Sequence, residues 1–482
     1  MTLGPCFINT IRDNVSEDSE AFVVDDCGSW VTIQGNIILN PKNSRPINSS
    51  GSVDLLDNII KNRIGQVGPA VRAGQLLSVG NTFTVSSPID AVWPVASIDN
   101  QVVPPESVNP TIPPMAQTPT NRGRQIFEIP AGASAQAIQT IINQADGQRG
   151  QRPVVHFQDG EYSIDQTLTI PAGSDIQLVA DGNNALLRWN GQGTGPVLRL
   201  AGPSHATLRY LNIHGGGRGT ADGIVIDNAD QADARIYLEE SIIDSSTYGL
   251  LAEGIDNVKV VANHFTGGVG DVDIKVVGGP RAALGQVVEG GVTVFGENTC
   301  CSEIQSYEVT RGGKLLIQSL WNETDLPSAR VTKLSDSGTL TLANVIYNVG
   351  TGTPNIPVME LENFRGKLSI LNSSLAFSSG AATNSAIPTT LLTRGEGRDT
   401  NLLLFAAKDA VNNPITFSNR ATNTRYVNFD SATDSGRVND PPFIKSMLAQ
   451  IRDEKPAKLT ALPNTVTDVR LFVVNVDQAL AA

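Results

Sequence analysis

The sequence is poor in several residue types, and their scarcity narrows what the protein can be. Of its 482 residues only 5% are aromatic and four are cysteines. Cys6 and Cys27 lie 21 residues apart, a spacing that lets them stack or bond in a repeating fold. Cys300 and Cys301 are adjacent and lack the CxxC or histidine spacing of a metal site. We therefore expect buried, unreactive cysteines, no metal and no cofactor.

Long apolar runs and an excess of basic residues are also missing. No apolar stretch approaches the ~18 residues that span a bilayer, so no membrane insertion is expected. The net charge of −13 argues against nucleic-acid binding through the whole surface. The opening "MTLGPCFINTI" has neither the basic start nor the long apolar segment of a signal peptide. The composition nevertheless suits a soluble protein that is secreted or held at the cell surface.

Sharp catalytic motifs are absent as well. The chain contains no HExxH, no GxSxG and no P-loop. The glycines of "HGGGRGTADG" resemble a phosphate loop, but no strand–loop–helix context follows, so they predict a turn. Function must therefore be argued from the overall pattern of the chain.

What the chain does contain is an internal repeat. Asn14, Asn36, Asn58 and Asn81 recur every 22 or 23 residues in an apolar frame such as "TIQGNIIL". Such periods indicate solenoids, although asparagine is depleted in strands. Stacked parallel coils would place these amides about 4.8 Å apart, where each satisfies the next. The pattern predicts a parallel β-helix with an asparagine ladder at a bend; four unrelated turn asparagines are the alternative.

Three composition changes divide the chain into four segments. Residues 1–93 read as a partial β-helix of about four coils without an opening element. Its first coil should be covered by an upstream segment or by another chain, such as a second copy in a homo-oligomer. Residues 94–124 are rich in proline and predict an extended linker. Residues 125–430 predict a second β-helix, and residues 431–482 lose the repeat and predict a C-terminal cap with a helix.

The second β-helix opens with an amphipathic helix. Ile138, Ile141, Ile142 and Ala145 fall on one helical face, and Ser134 is placed to cap its start. Short strands follow in "VHFQDGEYSI" and "TLTIPAGSDIQLVADG". Polar residues recur near the ladder position at Asn212, Ser241, Asn263, Ser319, Asn344 and Asn372.

This helix and the strands after it resemble the opening of the pectate-lyase-like right-handed parallel β-helix superfamily. With the preceding coils and linker, the whole chain resembles tandem β-helix proteins such as the glycoside hydrolase family 55 exo-β-1,3-glucanases. The resemblance implies an all-β fold of two β-helical modules in tandem, and a polysaccharide as partner. The paired-aspartate and Gly-His-Gly signatures of polygalacturonases, the RxPxxR signature of pectate lyases and the DPHE-type motif of epimerases are missing. The resemblance therefore implies the fold more strongly than any activity.

One strand recurs with charged residues in register. Alignment of "DGIVIDN", "YGLLAEG", "VDIKVVG" and "QSYEVTR" stacks Lys275 on Glu308, and Asp227 on Glu253 two residues further along the same face. These four are the candidate catalytic residues. Two carboxylates about 5 Å apart suit retaining glycoside hydrolysis, and repulsion would raise the pKa of one of them. A solvated polar row held by a salt bridge is the alternative.

Three further residues are candidates for substrate binding. Trp321 and Glu323 in "LLIQSLWNETD" suit stacking on a sugar ring with assistance from an acid. A surface tryptophan that covers the edge of the coil is an equal alternative. His264 ends a strand equivalent to that of His214 and suits proton transfer, although a turn histidine is the commoner role.

These observations predict a polysaccharide-active protein, either a glycoside hydrolase or a polysaccharide lyase acting on an extended glycan. The long flat rungs of a β-helix with ladders of polar side chains suit such a polymer. A protein of another class fits the same pattern: a non-catalytic carbohydrate-binding or structural β-helix, like a tailspike section or an adhesin. An exposed apolar stripe would favour that class, and an isolated acidic groove would favour the enzyme.

Overall fold

The computed structural model shows a parallel β-solenoid of about 14 turns with few helices, which confirms the predicted all-β solenoid and is consistent with a right-handed β-helix. Among the residues that it describes, no helix is long and apolar enough to cross a membrane. The described residues are 8–26, 28–92, 94–112, 123–231, 234–244, 246–263, 266–268, 270–300, 304–324, 329–349, 356–377, 391–407, 415, 417–429 and 440–453. Cys6, Cys27 and Cys301 lie outside them.

The first fourteen strands form what we call the short stack. They are β1 Ile8–Arg12, β2 Val15–Glu17, β3 Val23–Asp25, β4 Trp30–Gln34, β5 Ile37–Leu39, β6 Ile47–Ser49, β7 Ser52–Leu56, β8 Ile59–Lys61, β9 Val71–Ala73, β10 Gln75–Val79, β11 Thr82–Phe83, β12 Ile89–Ala91, β13 Val95–Ile98 and β14 Gln101–Val102. Three parallel sheets run up the stack, in the orders β1-β4-β7-β10-β13, β2-β5-β8-β11-β14 and β3-β6-β9-β12. Each of the first four coils therefore contributes one strand to each sheet, and the fifth contributes β13 and β14 to two of them.

The predicted asparagine ladder is confirmed, and it has one more member than the sequence suggested. Asn36 donates through its backbone N–H and its Nδ2 to Asn58 Oδ1, at 2.9 and 3.0 Å. Asn58 repeats both bonds to Asn81 Oδ1, at 2.8 and 2.9 Å. Asn14 and Asn100 extend the ladder at either end. The amides satisfy one another inside the bend, so the buried asparagines stabilise the coil.

The residue before each ladder asparagine has left-handed backbone, which produces the sharp bend between strands. Asp13, Gly35, Asp57, Gly80 and Asp99 have φ between 52° and 71°. Glycine and aspartate tolerate this conformation better than most residues. At Gly80 space also demands glycine, because an added Cβ would lie 2.5 Å from the Asp57 carboxylate of the coil below.

Strand pairing in the short stack continues beyond the boundary predicted at residue 93. Val95–Ile98 pairs in parallel with Leu76–Val79, and Gln101–Val102 pairs with Thr82–Phe83. Asn100 occupies the ladder position of this coil. The prolines that predict a linker lie just before the first of these two strands and just after the second. At those positions the backbone nitrogen does not have to donate a hydrogen bond to a neighbouring strand.

The remaining strands form the long stack, and in the described chain none of them pairs with a strand of the short stack. They are β15 Ile126–Ile129, β16 Val154–Phe157, β17 Gly160–Ile164, β18 Leu168–Ile170, β19 Gln177–Ala180, β20 Ala185–Trp189, β21 Leu198–Ala201, β22 Thr207–Arg209, β23 Asn212–His214, β24 Ile224–Asp227, β25 Arg235–Glu239, β26 Ile242–Asp244, β27 Ser246–Ile255, β28 Lys259–Asn263, β29 Thr266–Gly267, β30 Gly270–Gly278, β31 Gly291–Cys300, β32 Gln305–Thr310, β33 Gly313–Thr324, β34 Arg330–Leu334, β35 Ser337–Val349, β36 Met359–Glu362, β37 Arg365–Leu371, β38 Ser374–Phe377, β39 Leu391–Phe405 and β40 Phe417–Asn428.

In the described part of the chain three helices accompany the strands: α1 Ala135–Asp146, α2 Pro280–Ala283 and α3 Pro441–Asp453. The predicted amphipathic helix is confirmed as α1, and Ser134 accepts a hydrogen bond from the Ala137 N–H at its start. Its buried Ile138 and Ile142 pack with the apolar interior of the first coils of the long stack. Two short 3-10 turns lie at Pro105–Ser107 and Gly182–Asn184.

The two stacks pack against each other, and α3 lies between them. One buried cluster combines residues of the short stack, the long stack and α3: Leu56, Leu77, Val79 and Ile98; Leu316, Leu371, Leu403, Phe405 and Phe429; Phe443, Ile444, Met447, Leu448 and Ile451. Arg452 of α3 also holds Asp57 of the short stack with two bonds of 2.9 and 2.5 Å. The helix within the predicted C-terminal cap thus joins the lateral faces of both stacks.

Polar pairs bridge the stacks beside this apolar cluster. Thr10 bonds to Ser319 at 2.5 Å, Asn344 donates to Thr32 at 2.5 Å, and Asn372 donates to Asp54 at 2.6 Å. We call these three pairs the cross-stack rungs. Ser319, Asn344 and Asn372 sit at bends with positive φ, as the sequence pattern suggested. Their side chains, however, bond to the neighbouring stack.

The ladder predicts a specific loss of stability when its middle amide is removed. In Asn58→Leu, the backbone N–H of Asn36 loses its acceptor inside the bend, and the Oδ1 of Asn81 keeps only the backbone N–H of residue 58 as a donor. A buried unsatisfied group costs about 1–3 kcal/mol, so thermal unfolding should occur several degrees lower than in the parent. The exposed Asn109 is the matched control, and Asn109→Leu should leave the curve nearly unchanged. Equal melting temperatures for both variants would contradict a stabilising ladder.

Candidate functional site

The register of the long stack bears out the alignment of the candidate strands. Asp227 lies opposite Glu253 on the next coil, and Lys275 lies opposite Glu308. Between β27 and β30 the register shifts after Ala252, so the stacking does not continue from Glu253 to the same position of β30. The four candidate residues therefore share one outward face but form two separate pairs.

The Asp227 carboxylate is already occupied by neighbouring side chains. Arg199, on the coil below, forms an ion pair with its Oδ2, and the amide of Asn228 donates to its Oδ1 at 2.7 Å. A carboxylate held by a guanidinium is stabilised in its charged form. At this residue the arrangement matches the alternative of a polar row held by a salt bridge.

Lys275 is the centre of a denser cluster. Its Nζ lies 3.2 Å from a Glu308 carboxylate oxygen, 3.4 Å from the Tyr248 hydroxyl and 4.9 Å from the centre of that tyrosine ring. Burial lowers the pKa of the Lys275 amine, but the Glu308 carboxylate and Tyr248 outweigh it, so the pKa is raised. The ammonium is a fixed positive charge on this face.

Asp222 belongs to this cluster and was missed by the sequence reasoning. It lies just before β24, and the backbone N–H of Tyr248 donates to its Oδ1 at 3.4 Å. Burial raises the pKa of the Asp222 carboxyl, and the nearby Glu253 raises it further, against opposing effects of that N–H and of Lys275. It is the first residue of the aligned segment "DGIVIDN", but the alignment compared only the positions of Val225 and Asp227. The aspartate in "TADG" beside a glycine turn was the available signal.

The charged face continues upward as ion pairs. Glu360 is buried, and Arg330 and Arg394 contact its two carboxylate oxygens at 3.0 and 2.6 Å. Lys333 and Arg394 bind Glu362 at 3.0 and 3.2 Å. The hydrogen bond from Lys333 lowers the pKa of Glu362. Ion pairs therefore link several coils of this face to one another.

Trp321, the predicted substrate-binding residue whose side chain the structure describes, lies apart from this cluster. Trp321 is 43% exposed and follows the bend at Ser319 in β33, so it lies on a different face of the coil from β30 and β32. Glu323 belongs to the same strand, but its side chain lies outside the described residues. His264 also lies outside them. The structure does not bring Trp321 together with Lys275.

Histidines elsewhere have structural partners. His214 accepts a hydrogen bond from the Gly216 N–H at 3.0 Å, and burial lowers its pKa. His156, near the start of the long stack, lies 2.8 Å from Glu128 and 3.0 Å from Asp181 through its two ring nitrogens. Burial lowers the pKa of His156, but the two carboxylates raise it overall. With both nitrogens engaged, this imidazole serves to bind three coils together.

The acidic and sulfur-bearing residues do not converge on a metal. Across the described ranges there is no group of three or more histidine, cysteine, aspartate or glutamate side chains able to hold an ion. The group that remains as a candidate consists of Asp222, Glu253, Lys275, Glu308 and Tyr248, which we call the Lys275 cluster.

The Lys275 cluster predicts how the amine responds when its partner is neutralised. In Glu308→Gln, burial remains while the carboxylate charge is gone, so the pKa of Lys275 should fall. More neutral amine is then present at pH 8–9, and acetic anhydride should label Lys275 faster, as measured by peptide mass spectrometry. The exposed Lys42, 3.8 Å from Glu20, is the internal control and should label equally in both proteins. Slower labelling of Lys275 in the variant would contradict the assigned ion pair.

Comparison with known proteins adds no family to this description. Neither the family models nor the curated proteins that were searched contain a match to this chain. The chain is thus characterised by its solenoid fold and by the Lys275 cluster, and its function has to be argued from that geometry.

Proposed function

We propose that this protein is a secreted, polysaccharide-active enzyme that cleaves an extended glycan at the Lys275 cluster. The observation that carries the proposal is the meeting of two carboxyl groups in different environments, Asp222 and Glu253, with Lys275 beside them. Carboxyl pairs whose environments separate their pKa values divide the roles of acid and base. A glycoside hydrolase is the first form of the proposal, and a polysaccharide lyase is the second.

Asp222 is the proposed proton donor. Burial raises the pKa of its carboxyl, so it holds its proton at a higher pH than an exposed aspartate does. A donor with such a pKa can protonate the oxygen of a glycosidic leaving group. General acid catalysis of this kind contributes about 10²–10⁴-fold to a rate.

Glu253 is the proposed second carboxyl group of the site. No ion pair to it occurs among the described residues, unlike Asp227, whose charge is matched by Arg199. The proposed catalytic pair is therefore Asp222 and Glu253, in place of the pair Asp227 and Glu253 that the sequence suggested. Lys275 and Glu308 hold each other at 3.2 Å and fix the charge distribution around both carboxyl groups.

The surrounding surface supports a polymeric substrate. Successive parallel strands are spaced about 4.8 Å apart, so the outward face offers polar groups at regular intervals over many coils. Arg199, Lys275, Glu308 and Glu362 lie along this face on different coils. A chain of sugars can contact several of them at once.

A second function is favoured by a specific observation. Most carboxylates of the charged face, including Asp227, Glu308 and Glu360, are neutralised by cations on adjacent coils. Such pairs suit a rigid, non-catalytic scaffold that binds a carbohydrate or serves a structural role. In that case the Lys275 cluster is one more ion-paired rung.

The two functions make different predictions for a panel of glucans and uronans. If the enzyme proposal is right, Asp222→Asn and Glu253→Gln should each lower kcat by two orders of magnitude or more on the substrate that the parent degrades. Both changes remove the acid or the second carboxyl group while keeping shape, so melting temperature and polymer binding should stay close to the parent. Reducing-end release and binding isotherms measure these quantities.

Asp227→Asn is the matched control, because it removes a carboxylate from the same face that Arg199 already neutralises. Its kcat should stay within a few-fold of the parent. Full activity of both Asp222→Asn and Glu253→Gln would place the reaction elsewhere and overturn the site. A parent protein that binds one polymer and cleaves none would establish the second function.

A further inference from the structure

The interface between the stacks encloses the carboxyl group of Asp54. This residue of β7 is fully buried, and its neighbours in register are Thr32 on β4 and Leu77 on β10. From the long stack, Asn372 donates to its Oδ1 at 2.6 Å. Asn344, one coil from Asn372, bonds to Thr32 at 2.5 Å. Asp54 thus belongs to one cross-stack rung and lies next to Thr32 of the neighbouring rung.

Three oxygen atoms of these two rungs have no hydrogen-bond donor. Within the described structure the Oδ2 of Asp54 and the Oδ1 atoms of Asn344 and Asn372 are buried without a hydrogen-bond partner. A buried polar group without a partner is costly, and a buried charge more so. A proton on Oδ2 removes the charge and turns this atom into a donor, in an interface where the buried Oδ1 atoms of Asn344 and Asn372 have none. The geometry therefore favours a neutral carboxyl group.

No ion pair to Asp54 occurs among the residues that the structure describes. The side chains that meet it from β4, β10 and the long stack are uncharged. The charged groups nearby on other elements are engaged elsewhere: Arg12 over the Phe295 ring, Lys367 with the Ser446 carbonyl, Lys445 with Asp99, and Arg452 with Asp57. Burial accordingly raises the pKa of Asp54 to about 8, although its hydrogen bond with Thr32 opposes the shift.

We propose that docking of the short stack on the long stack is proton-linked through Asp54, so that the interface is tight with a neutral carboxyl and loosens when the proton leaves. The device is separate from the Lys275 cluster, and the proposal stands whichever function that cluster serves. It makes the contact between the stacks respond to the pH of the surroundings.

The sign of the effect follows from the two states of Asp54. When the stacks separate or unfold, the carboxyl meets water and its pKa returns toward 3.8. Between pH 4 and pH 8 the open state therefore releases the proton while the docked state keeps it. Opening becomes about tenfold more favourable per pH unit in this window. Below about pH 4 the group has no effect, and above about pH 8 its effect is constant.

Asp54→Asn tests the proposal, because asparagine has the shape and the donor of a neutral carboxyl but does not titrate. Hydrogen exchange of peptides from β7 and α3, corrected for intrinsic rates, measures opening between pH 5 and 9. The ratio of opening constants, parent over variant, should rise about tenfold per pH unit and about a thousandfold from pH 5 to 8. It should then level off. A ratio that does not change with pH overturns the proposal.

Two further variants separate titration from packing. Asn372→Ala removes the cross-stack partner but keeps the carboxyl, so opening should be faster at every pH with the tenfold rise per unit retained. Thr32→Val removes the hydrogen bond that opposes the rise in the pKa of Asp54. The pH at which the opening constant stops rising should therefore be higher than in the parent. If Asp54→Asn does not fold, the comparison of Thr32→Val with the parent still tests the proposal. If the pH at which the opening constant stops rising is the same in Thr32→Val or lower, the proposal is overturned.

Discussion

The structure depends on one constraint, the in-register hydrogen bonding of each coil to the next. Because parallel strands pair residue by residue, every side chain has the equivalent residue of the neighbouring coil about 4.8 Å away. A polar group inside the coil is then satisfied by its own repeat, as in the ladder from Asn36 to Asn81. The same constraint sets opposite charges above one another outside the coil, as at Lys275 and Glu308. Interior order and surface electrostatics thus have a common origin.

The contact between the stacks follows a different rule, because it is made by side chains alone. Its apolar part combines residues of both stacks with Met447 and Ile451 of α3. Its polar part is the row of cross-stack rungs, in which each hydrogen bond joins residues more than 300 positions apart. Backbone pairing makes each stack rigid, whereas the interface holds the buried, partly unsatisfied polar groups. A change of protonation there acts on the docking of the stacks while the coils stay intact.

On the charged face, residues at equivalent positions of the repeat have different chemical surroundings. Asp227 and Glu253 occupy equivalent positions, yet Arg199 neutralises the first. Asp222 enters from the bend before β24, and burial raises the pKa of its carboxyl. Equivalent positions in a solenoid therefore need not have equivalent roles. The register shift after Ala252 interrupts the row of stacked residues beside the Asp222 carboxyl group. The residues around this carboxyl group are therefore not arranged as on the other coils.

The sequence by itself determined the features that repeat or that are local. The period of the asparagines set the ladder, the spacing of Ile138 and Ile142 set α1, and aligned strands gave the pairing of Lys275 with Glu308, because in a solenoid nearest neighbours in space are one period apart in sequence. Only the tertiary structure decided that Arg199 neutralises Asp227, that Asp222 joins the Lys275 cluster, and that Asn344 and Asn372 reach across to the other stack. These outcomes depend on bends, a register shift and the packing of distant coils. The repeat relates no residue of one stack to a residue of the other. Within one stack it shows which coils are adjacent, but not which diagonal or turn neighbour a charged side chain contacts.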